Sequence, residues 1–214
     1  MAPSVDPGVA PRDVPSVVSS GVSSVEPSNR GPEVTLIFLH IPKTGGTSVR
    51  AALKREKMDT RYDLFLSPDT HEIPSRSELD YVFTFVRDPY ARAVSLYNGY
   101  TPTPHKPDFL GFLKRVAKGV WGDQFRANPQ TYWTKGTNAD FIGKTEALQE
   151  DLDKVLANFD LPGVEIDQLN SAKERGTIGM TVKDLTSEHR ALIEDIYASD
   201  FDAFKYPKYN LKET

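Results

Sequence analysis

A nearly continuous apolar run that passes directly into a glycine-containing loop restricts this chain to a small number of folds. The run is Val34–Leu39, and the loop over residues 40–46 reads His-Ile-Pro-Lys-Thr-Gly-Gly. An unbroken apolar run is typical of a strand covered on both faces, because a half-exposed strand alternates apolar and polar residues. Thr47 and Ser48 then open a helix that we expect to continue to about Lys57.

A second apolar run, Tyr81–Val86, has the same arrangement. Asp88 follows it as a helix N-cap, with Pro89 at the first helical position, where the missing N–H is not needed. Further elements are predicted from apolar spacing: strands at 62–66 and 141–142, and helices over 108–118, from a Thr145 cap to Phe159, and from Leu192 to Phe204. Strands alternating with helices predict an α/β fold, a single three-layer domain with a central parallel sheet.

The composition excludes several classes of protein. Because the 214 residues include no Cys, the chain has no disulfide framework, thiolate metal site or Cys nucleophile. The formal net charge of -4 argues against a nucleic-acid partner, since neutralising phosphates requires a basic surface. No apolar run approaches the length of a membrane-spanning helix.

Residues 1–32 differ from the rest of the chain. They are rich in Pro and Ser and contain no aromatic residue, Leu or Ile, so we expect a disordered tail before a domain over 33–214. The pair Val17 and Val18 is followed at once by Ser19, which leaves no apolar core for a secretory signal. We therefore expect a cytoplasmic protein, with a Ser-rich transit peptide as the alternative.

The loop after the first strand has the features of an anion site. Glycines allow a sharp turn and close approach of the backbone, and a helix start offers unpaired N–H groups and a positive dipole end. Lys43 adds a positive charge, and Thr47 and Ser48 add hydroxyl donors. The alternative is an ordinary tight turn with a Ser/Thr cap and an exposed Lys. The loop is not a Walker A motif, because its Lys precedes the glycines.

A second anion site is predicted at the end of the second strand. Arg87 stands where ligands bind in open α/β sheets, and Ser95 follows eight residues later, about two helical turns on. A guanidinium can hold a phosphate as a planar fork. Alternatively, Arg87 pairs with Asp88 or another surface acid. We expect Arg92 to be mainly solvated.

These two segments resemble motifs of a known family. His40–Ser48 is similar to the 5′-phosphosulfate loop of sulfotransferases, and Phe85–Tyr97 resembles their 3′-phosphate motif. The resemblance is strongest to the branch related to heparan sulfate 2-O- and other carbohydrate sulfotransferases, with their bacterial members. It continues through residues 140–146, 169–173 and 185–189, and it covers about residues 34–207.

The resemblance implies a function and a set of binding residues. The family transfers a sulfuryl group from 3′-phosphoadenosine 5′-phosphosulfate (PAPS) to a hydroxyl or amine, leaving 3′-phosphoadenosine 5′-phosphate (PAP), and requires no metal. By this resemblance Lys43 stabilises the leaving phosphate. The P-loop-like cradle for the 5′-phosphosulfate comprises Thr44, Gly45, Gly46, Thr47 and Ser48. By the same resemblance, the 3′-phosphate is bound by Arg87 and Ser95, together with Lys173 and Arg175 from a late loop.

The general base is predicted from the same resemblance. Related enzymes carry a His in the region of His71, and an imidazole titrates in the useful pH range. On residue chemistry alone, His71 would be a surface-loop residue; Glu72 is the second candidate, and His40 is expected to be structural. Gln130, Tyr132 and Trp133 are candidates for the acceptor cleft, although core packing is the commoner fate of large aromatics.

Two other functions compete with sulfuryl transfer. A nucleotide phosphotransferase or hydrolase would need a Walker-type Lys, which is missing, and an acidic Mg²⁺ ligand, for which Asp88 would have to serve. A non-catalytic nucleotide-binding protein of the same fold would bind without turnover. The acceptor is expected to be a carbohydrate or small metabolite, with a lipid headgroup also open, and the oligomeric state is not readable from the sequence.

Overall fold

A computed structural model describes residues 34–55, 62–66, 80–100, 107–167 and 179–209. The predicted tail, residues 1–32, lies outside the described residues, as do the candidate bases His71 and Glu72 and the late-loop cations Lys173 and Arg175.

The described residues form four strands and eight α-helices. In order they are β1 (Val34–Leu39), α1 (Gly46–Arg55), β2 (Tyr62–Leu66), β3 (Tyr81–Val86), α2 (Pro89–Tyr100), α3 (Phe109–Ala117), α4 (Gln124–Ala127), α5 (Gln130–Thr134), β4 (Phe141–Lys144), α6 (Leu148–Ala157), α7 (Ser187–Ile196) and α8 (Ala198–Phe204). Short 3-10 turns cover Thr145–Ala147 and Val182–Asp184.

The four strands form one parallel sheet in the order β2-β1-β3-β4. Leu39 of β1 is in register with Thr84 of β3, and the Thr84 hydroxyl donates to the Leu39 carbonyl at 2.7 Å. The carboxyl ends of the two central strands are therefore neighbours, and the loop after β1 lies beside the residues that follow β3. The predicted α/β class with a central parallel sheet is confirmed.

Helices cover both faces of the sheet. Because side chains alternate along a strand, Phe38 and Phe85 point to one face, where they pack with residues of α1 and α6. Val86 belongs to the other face and packs with Ile41 and with residues of α2, α3, α7 and α8. Each large apolar side chain buried in these clusters contributes about 1.5–3 kcal/mol.

The structure confirms one predicted helix cap and contradicts another. Asp88 caps α2, its Oδ1 accepting from the Ala91 N–H at 2.8 Å, as predicted. Asp108 caps α3 in the same way, accepting from Gly111 at 2.7 Å. The Thr145 cap is wrong: α6 begins at Leu148, and the Thr145 hydroxyl instead donates to backbone carbonyls of two other segments.

The last predicted helix is two helices. Tyr197, with φ −111° and ψ 27°, leaves the helical conformation between α7 and α8. The break places buried Asp200 in the first turn of α8, where its carboxylate accepts from the backbone N–H groups of Gln130 and Thr131 at 2.8 and 2.9 Å. A continuous apolar pattern cannot reveal this partner because it lies 70 residues earlier.

Candidate functional site

Hydrogen bonds to its backbone carbonyls hold the loop between β1 and α1 in place. Five successive carbonyls accept hydrogen bonds from within the protein: Ile41 from Thr44 Oγ1 (2.9 Å), Pro42 from Arg92 Nε (3.1 Å), Lys43 from Arg87 Nη1 (3.3 Å), Thr44 from Thr145 Oγ1 (2.9 Å) and Gly45 from Ser48 N (3.0 Å). In a trans peptide the C=O and the next N–H point in opposite directions. The N–H groups of residues 43–46 therefore turn away from these donors.

The backbone conformation of the loop suits an anion. Lys43 and Gly45 both have positive φ, at 69° and 83°. Left-handed residues in a short loop turn successive N–H groups into a concavity that binds anions, and glycine adopts this conformation without a steric penalty. Since the loop continues into α1, the unpaired N–H groups and positive dipole of the first helical turn add to the same field.

Packing also requires the second glycine. A Cβ atom on Gly46 would lie 1.9 Å from the His40 ring, which is itself nearly buried and stacks on Phe38 with the ring centroids 6.0 Å apart. His40 thus fills the space beneath the start of α1, in keeping with the structural role expected for it.

The Lys43 side chain reaches α2. A Cβ atom built on Gly99 would lie 2.6 Å from Lys43 Nζ, so the ammonium group lies directly against that helix. Ser95 precedes Gly99 by four residues and shares its helix face. The half-buried Ser95 therefore lies one helical turn before the position on α2 that the Lys43 ammonium contacts.

Arg87 is anchored through its backbone, while its guanidinium faces the loop. The Gln130 side chain accepts from the Arg87 N–H at 2.8 Å and donates to the Arg87 carbonyl at 2.9 Å. Burial lowers the pKa of the Arg87 guanidinium, and the nearby carboxylates of Glu146 and Asp88 oppose this effect. The group stays charged, because arginine does not lose its proton in proteins. Asp88, which was the alternative partner, caps α2, and burial raises the pKa of its carboxyl group.

The expectation that Arg92 is solvated is wrong. Its side chain is 1% exposed, and it donates to the carbonyls of Pro42 (3.1 Å), Asn128 (3.0 Å) and Arg126 (3.0 Å). Arg92 therefore ties the β1–α1 loop to the segment between α4 and α5. A charged residue in an amphipathic helix gives no sequence signal of such burial, because its acceptors are backbone carbonyls.

The three candidates for the acceptor cleft have different environments. Gln130 is fully buried and occupied by Arg87 and Asp200, and Trp133 is fully buried in the core. Tyr132 is 43% exposed and packs edge-on against the exposed ring of Phe125, with the centroids 6.1 Å apart. Of the three, Tyr132 alone offers a ring to solvent.

Two residues of the site were not found by sequence reasoning. Thr145 donates to the carbonyls of Thr44 and Val86, and so joins the β1–α1 loop to the end of β3. Glu146 accepts from the Asp88 N–H at 2.8 Å. Both follow β4, the strand next to β3, so the sheet order could have indicated them once β4 was placed.

The fold and this site define a class: a parallel α/β domain in which a loop whose backbone conformation suits an anion and an arginine follow adjacent strands. Within that class, a sequence profile of the sulfotransferase family matches residues 29–207. The chain belongs to the sulfotransferase family, as the motifs predicted. No curated protein matches it.

Within the described residues there is no helix long and apolar enough to cross a membrane. Across the same ranges, no group of three or more His, Asp or Glu side chains could hold a metal ion.

Proposed function

We propose that this sulfotransferase transfers the sulfuryl group of PAPS to a hydroxyl or amine of a carbohydrate or small metabolite and releases PAP. The observation that carries the proposal is the hydrogen bond from Arg87 Nη1 to the Lys43 carbonyl, 3.3 Å long. It brings the loop after β1 and the residue after β3, the two segments that we propose to bind anions, side by side. PAPS carries two anionic groups, a 5′-phosphosulfate and a 3′-phosphate, on one ribose, and so matches two adjacent sites.

Lys43 and the loop residues Thr44–Ser48 are proposed to hold the 5′-phosphosulfate. As sulfuryl transfer proceeds, negative charge grows on the phosphate that leaves. A lysine ammonium and preorganised N–H groups stabilise that charge more in the transition state than in the ground state, which is how such sites accelerate group transfer. The loop is prepared for this because its carbonyls already bond within the protein. The Lys43 ammonium and the N–H groups of the loop supply the positive field, so the reaction needs no metal in principle.

Arg87 is proposed to bind the 3′-phosphate together with Ser95, and Lys173 and Arg175 to join them. Supporting this, Gln130 holds the Arg87 backbone on both sides, and the guanidinium itself is held by its hydrogen bond to the Lys43 carbonyl. A fixed fork-shaped donor loses little entropy when it binds a phosphate. The cytoplasmic location and the carbohydrate-sulfotransferase branch remain predictions.

His71 is proposed as the base that accepts the proton of the acceptor hydroxyl, with Glu72 as the second candidate. We expect His71→Ala to lower kcat by roughly 100-fold or more, which is the usual contribution of a general base. PAP affinity should stay within about twofold of the wild type, since the base does not hold the nucleotide. Steady-state kinetics with PAPS, alongside PAP titration, checks both. An unchanged kcat would move the role to Glu72 or elsewhere.

Calorimetric titration with PAP, AMP and ADP tests the proposed function first. We expect PAP to bind much more tightly than AMP. Arg87→Ala should weaken PAP binding about 30-fold, because a hydrogen-bonded charge contributes roughly 2 kcal/mol. It should weaken AMP binding far less, through the loss of its hydrogen bond to the Lys43 carbonyl. Arg115→Ala, which removes an exposed cation on α3, is the matched control and should change neither.

The competing functions predict different titrations. Equal binding of PAP and AMP would contradict the 3′-phosphate site. Preference for ADP that depends on Mg²⁺ would favour a phosphotransferase or hydrolase. Tight PAP binding without transfer from PAPS to any acceptor in a broad screen would favour a non-catalytic nucleotide-binding protein.

A further inference from the structure

Glu146, directly after β4, has both carboxylate oxygens engaged. Oε1 accepts from the Asp88 N–H at 2.8 Å, and Oε2 accepts from the Tyr206 hydroxyl at 2.9 Å. The first contact is to the residue that follows Arg87. The second is to the segment that follows α8, 60 residues further along the chain. Glu146 therefore links the arginine end of β3 to the last described part of the chain.

The Glu146 carboxylate is also within electrostatic reach of the Arg87 guanidinium. Its charge is the largest of the effects that oppose the lowering of the Arg87 pKa by burial. Even so, the guanidinium donates to the Lys43 carbonyl, whereas the two oxygens of Glu146 are taken by Asp88 and Tyr206. A carboxylate that turned onto the guanidinium would form an ion pair and compete with a phosphate for the same donors.

Tyr206 is well placed to prevent that turn. It is only 9% exposed, and Lys144 Nζ lies 4.6 Å from the centre of its ring. Burial and the charge of Glu146 both raise the pKa of the phenol, so the hydroxyl keeps its proton and remains a donor. The segment itself is anchored nearby, because the Tyr209 N–H donates to the Tyr90 hydroxyl at 3.1 Å.

We propose that Tyr206 is a positioning residue for the 3′-phosphate site: its hydroxyl holds the Glu146 carboxylate on the Asp88 N–H and off the Arg87 guanidinium, which stays available to the phosphate. The segment after α8 is then part of the nucleotide site. This inference rests on the proposed function, because it takes the 3′-phosphate of PAP as the ligand of Arg87.

The test is the ratio of PAP to AMP affinity, measured by calorimetry in the wild type and in three variants of the full chain. Tyr206→Phe frees one oxygen of Glu146, and we expect the ratio to fall about fivefold, the worth of one hydrogen bond. Glu146→Gln keeps an oxygen for the Asp88 N–H but removes the competing charge, so the ratio should not fall. The double variant Tyr206→Phe with Glu146→Gln should recover most of the loss.

Two controls separate this role from a general loss of structure. Tyr81→Phe makes the same change in a residue of similar burial (8%) at the opposite end of β3, and should leave the ratio unchanged. Glu150→Gln removes an exposed carboxylate on α6 that pairs with Lys154, and should also leave it unchanged. A melting temperature for each variant shows that it is folded.

The outcomes are distinct. Rescue by the double variant supports the positioning role, because a merely structural defect in Tyr206→Phe would not be repaired by a second substitution. A wild type that prefers PAP, with an unchanged ratio in Tyr206→Phe or no rescue in the double variant, would overturn the positioning role alone. A wild type that binds PAP and AMP equally would overturn the 3′-phosphate site, and this inference with it.

Discussion

At the scale of single residues, the buried cation Arg92 shows how the loop keeps its shape. A charge in a protein interior is tolerated only where polar groups replace water around it. Arg92 meets this condition with three backbone carbonyls, of which one belongs to Pro42 in the β1–α1 loop. The two arginines of this motif therefore have different roles. Arg87 faces the candidate site, whereas Arg92 holds the β1–α1 loop in place.

Arg92→Lys is expected to destabilise the fold although it keeps the charge. A lysine ammonium cannot reach carbonyls in three directions with the geometry of a guanidinium, so at least one or two buried acceptors lose their donors. We expect the free energy of unfolding to fall by about 3 kcal/mol, measured by urea denaturation. Arg115→Lys, on the exposed face of α3, should change it by less than about 0.5 kcal/mol. Equal stability of the two variants would show that the three contacts contribute little.

At the scale of elements, the sequence correctly predicted those strands and helix caps that depend only on residues near them in the chain. The apolar runs of β1 and β3 and the Asp88 cap depend on residues within a few positions of each other, and all appear where expected. The helix cap at Thr145 failed for the opposite reason. The Thr145 hydroxyl donates to the carbonyl of Thr44, 101 residues earlier, and no capping rule based on neighbouring residues includes that acceptor.

At the scale of the whole molecule, the candidate site divides into residues that the sequence reveals and residues that support them. The adjacency of Lys43 and Arg87 could be predicted, because parallel strands bring their carboxyl ends to one edge of the sheet. The supporting roles of Gln130 from α5 and Tyr206 from beyond α8 could not, because both residues come from remote segments. The sequence thus predicted that Lys43 and Arg87 lie close together, but not which residues orient them.

A substitution at Asp200 tests whether residues far along the chain support the orientation of Arg87. It is fully buried, and its two oxygens accept from the backbone and side chains of Gln130 and Thr131 at distances of 2.8 to 3.3 Å. Asp200→Asn keeps the shape but offers one acceptor oxygen instead of two and turns an amide toward donors. We expect the free energy of unfolding to fall by about 3 kcal/mol, since buried donors are left unpaired.

The same substitution should reach the site, because the Gln130 side chain donates to Asp200 Oδ2 and also holds both backbone groups of Arg87. PAP affinity should therefore fall several-fold at a temperature where Asp200→Asn is still folded, while AMP affinity changes less. The matched control is Asp202→Asn on the exposed side of α8, where the carboxylate lies 3.4 Å from Lys208 Nζ and surface pairs contribute little. Loss of stability without any change in the ratio of PAP to AMP affinity would mean that α8 supports the fold but not the orientation of Arg87.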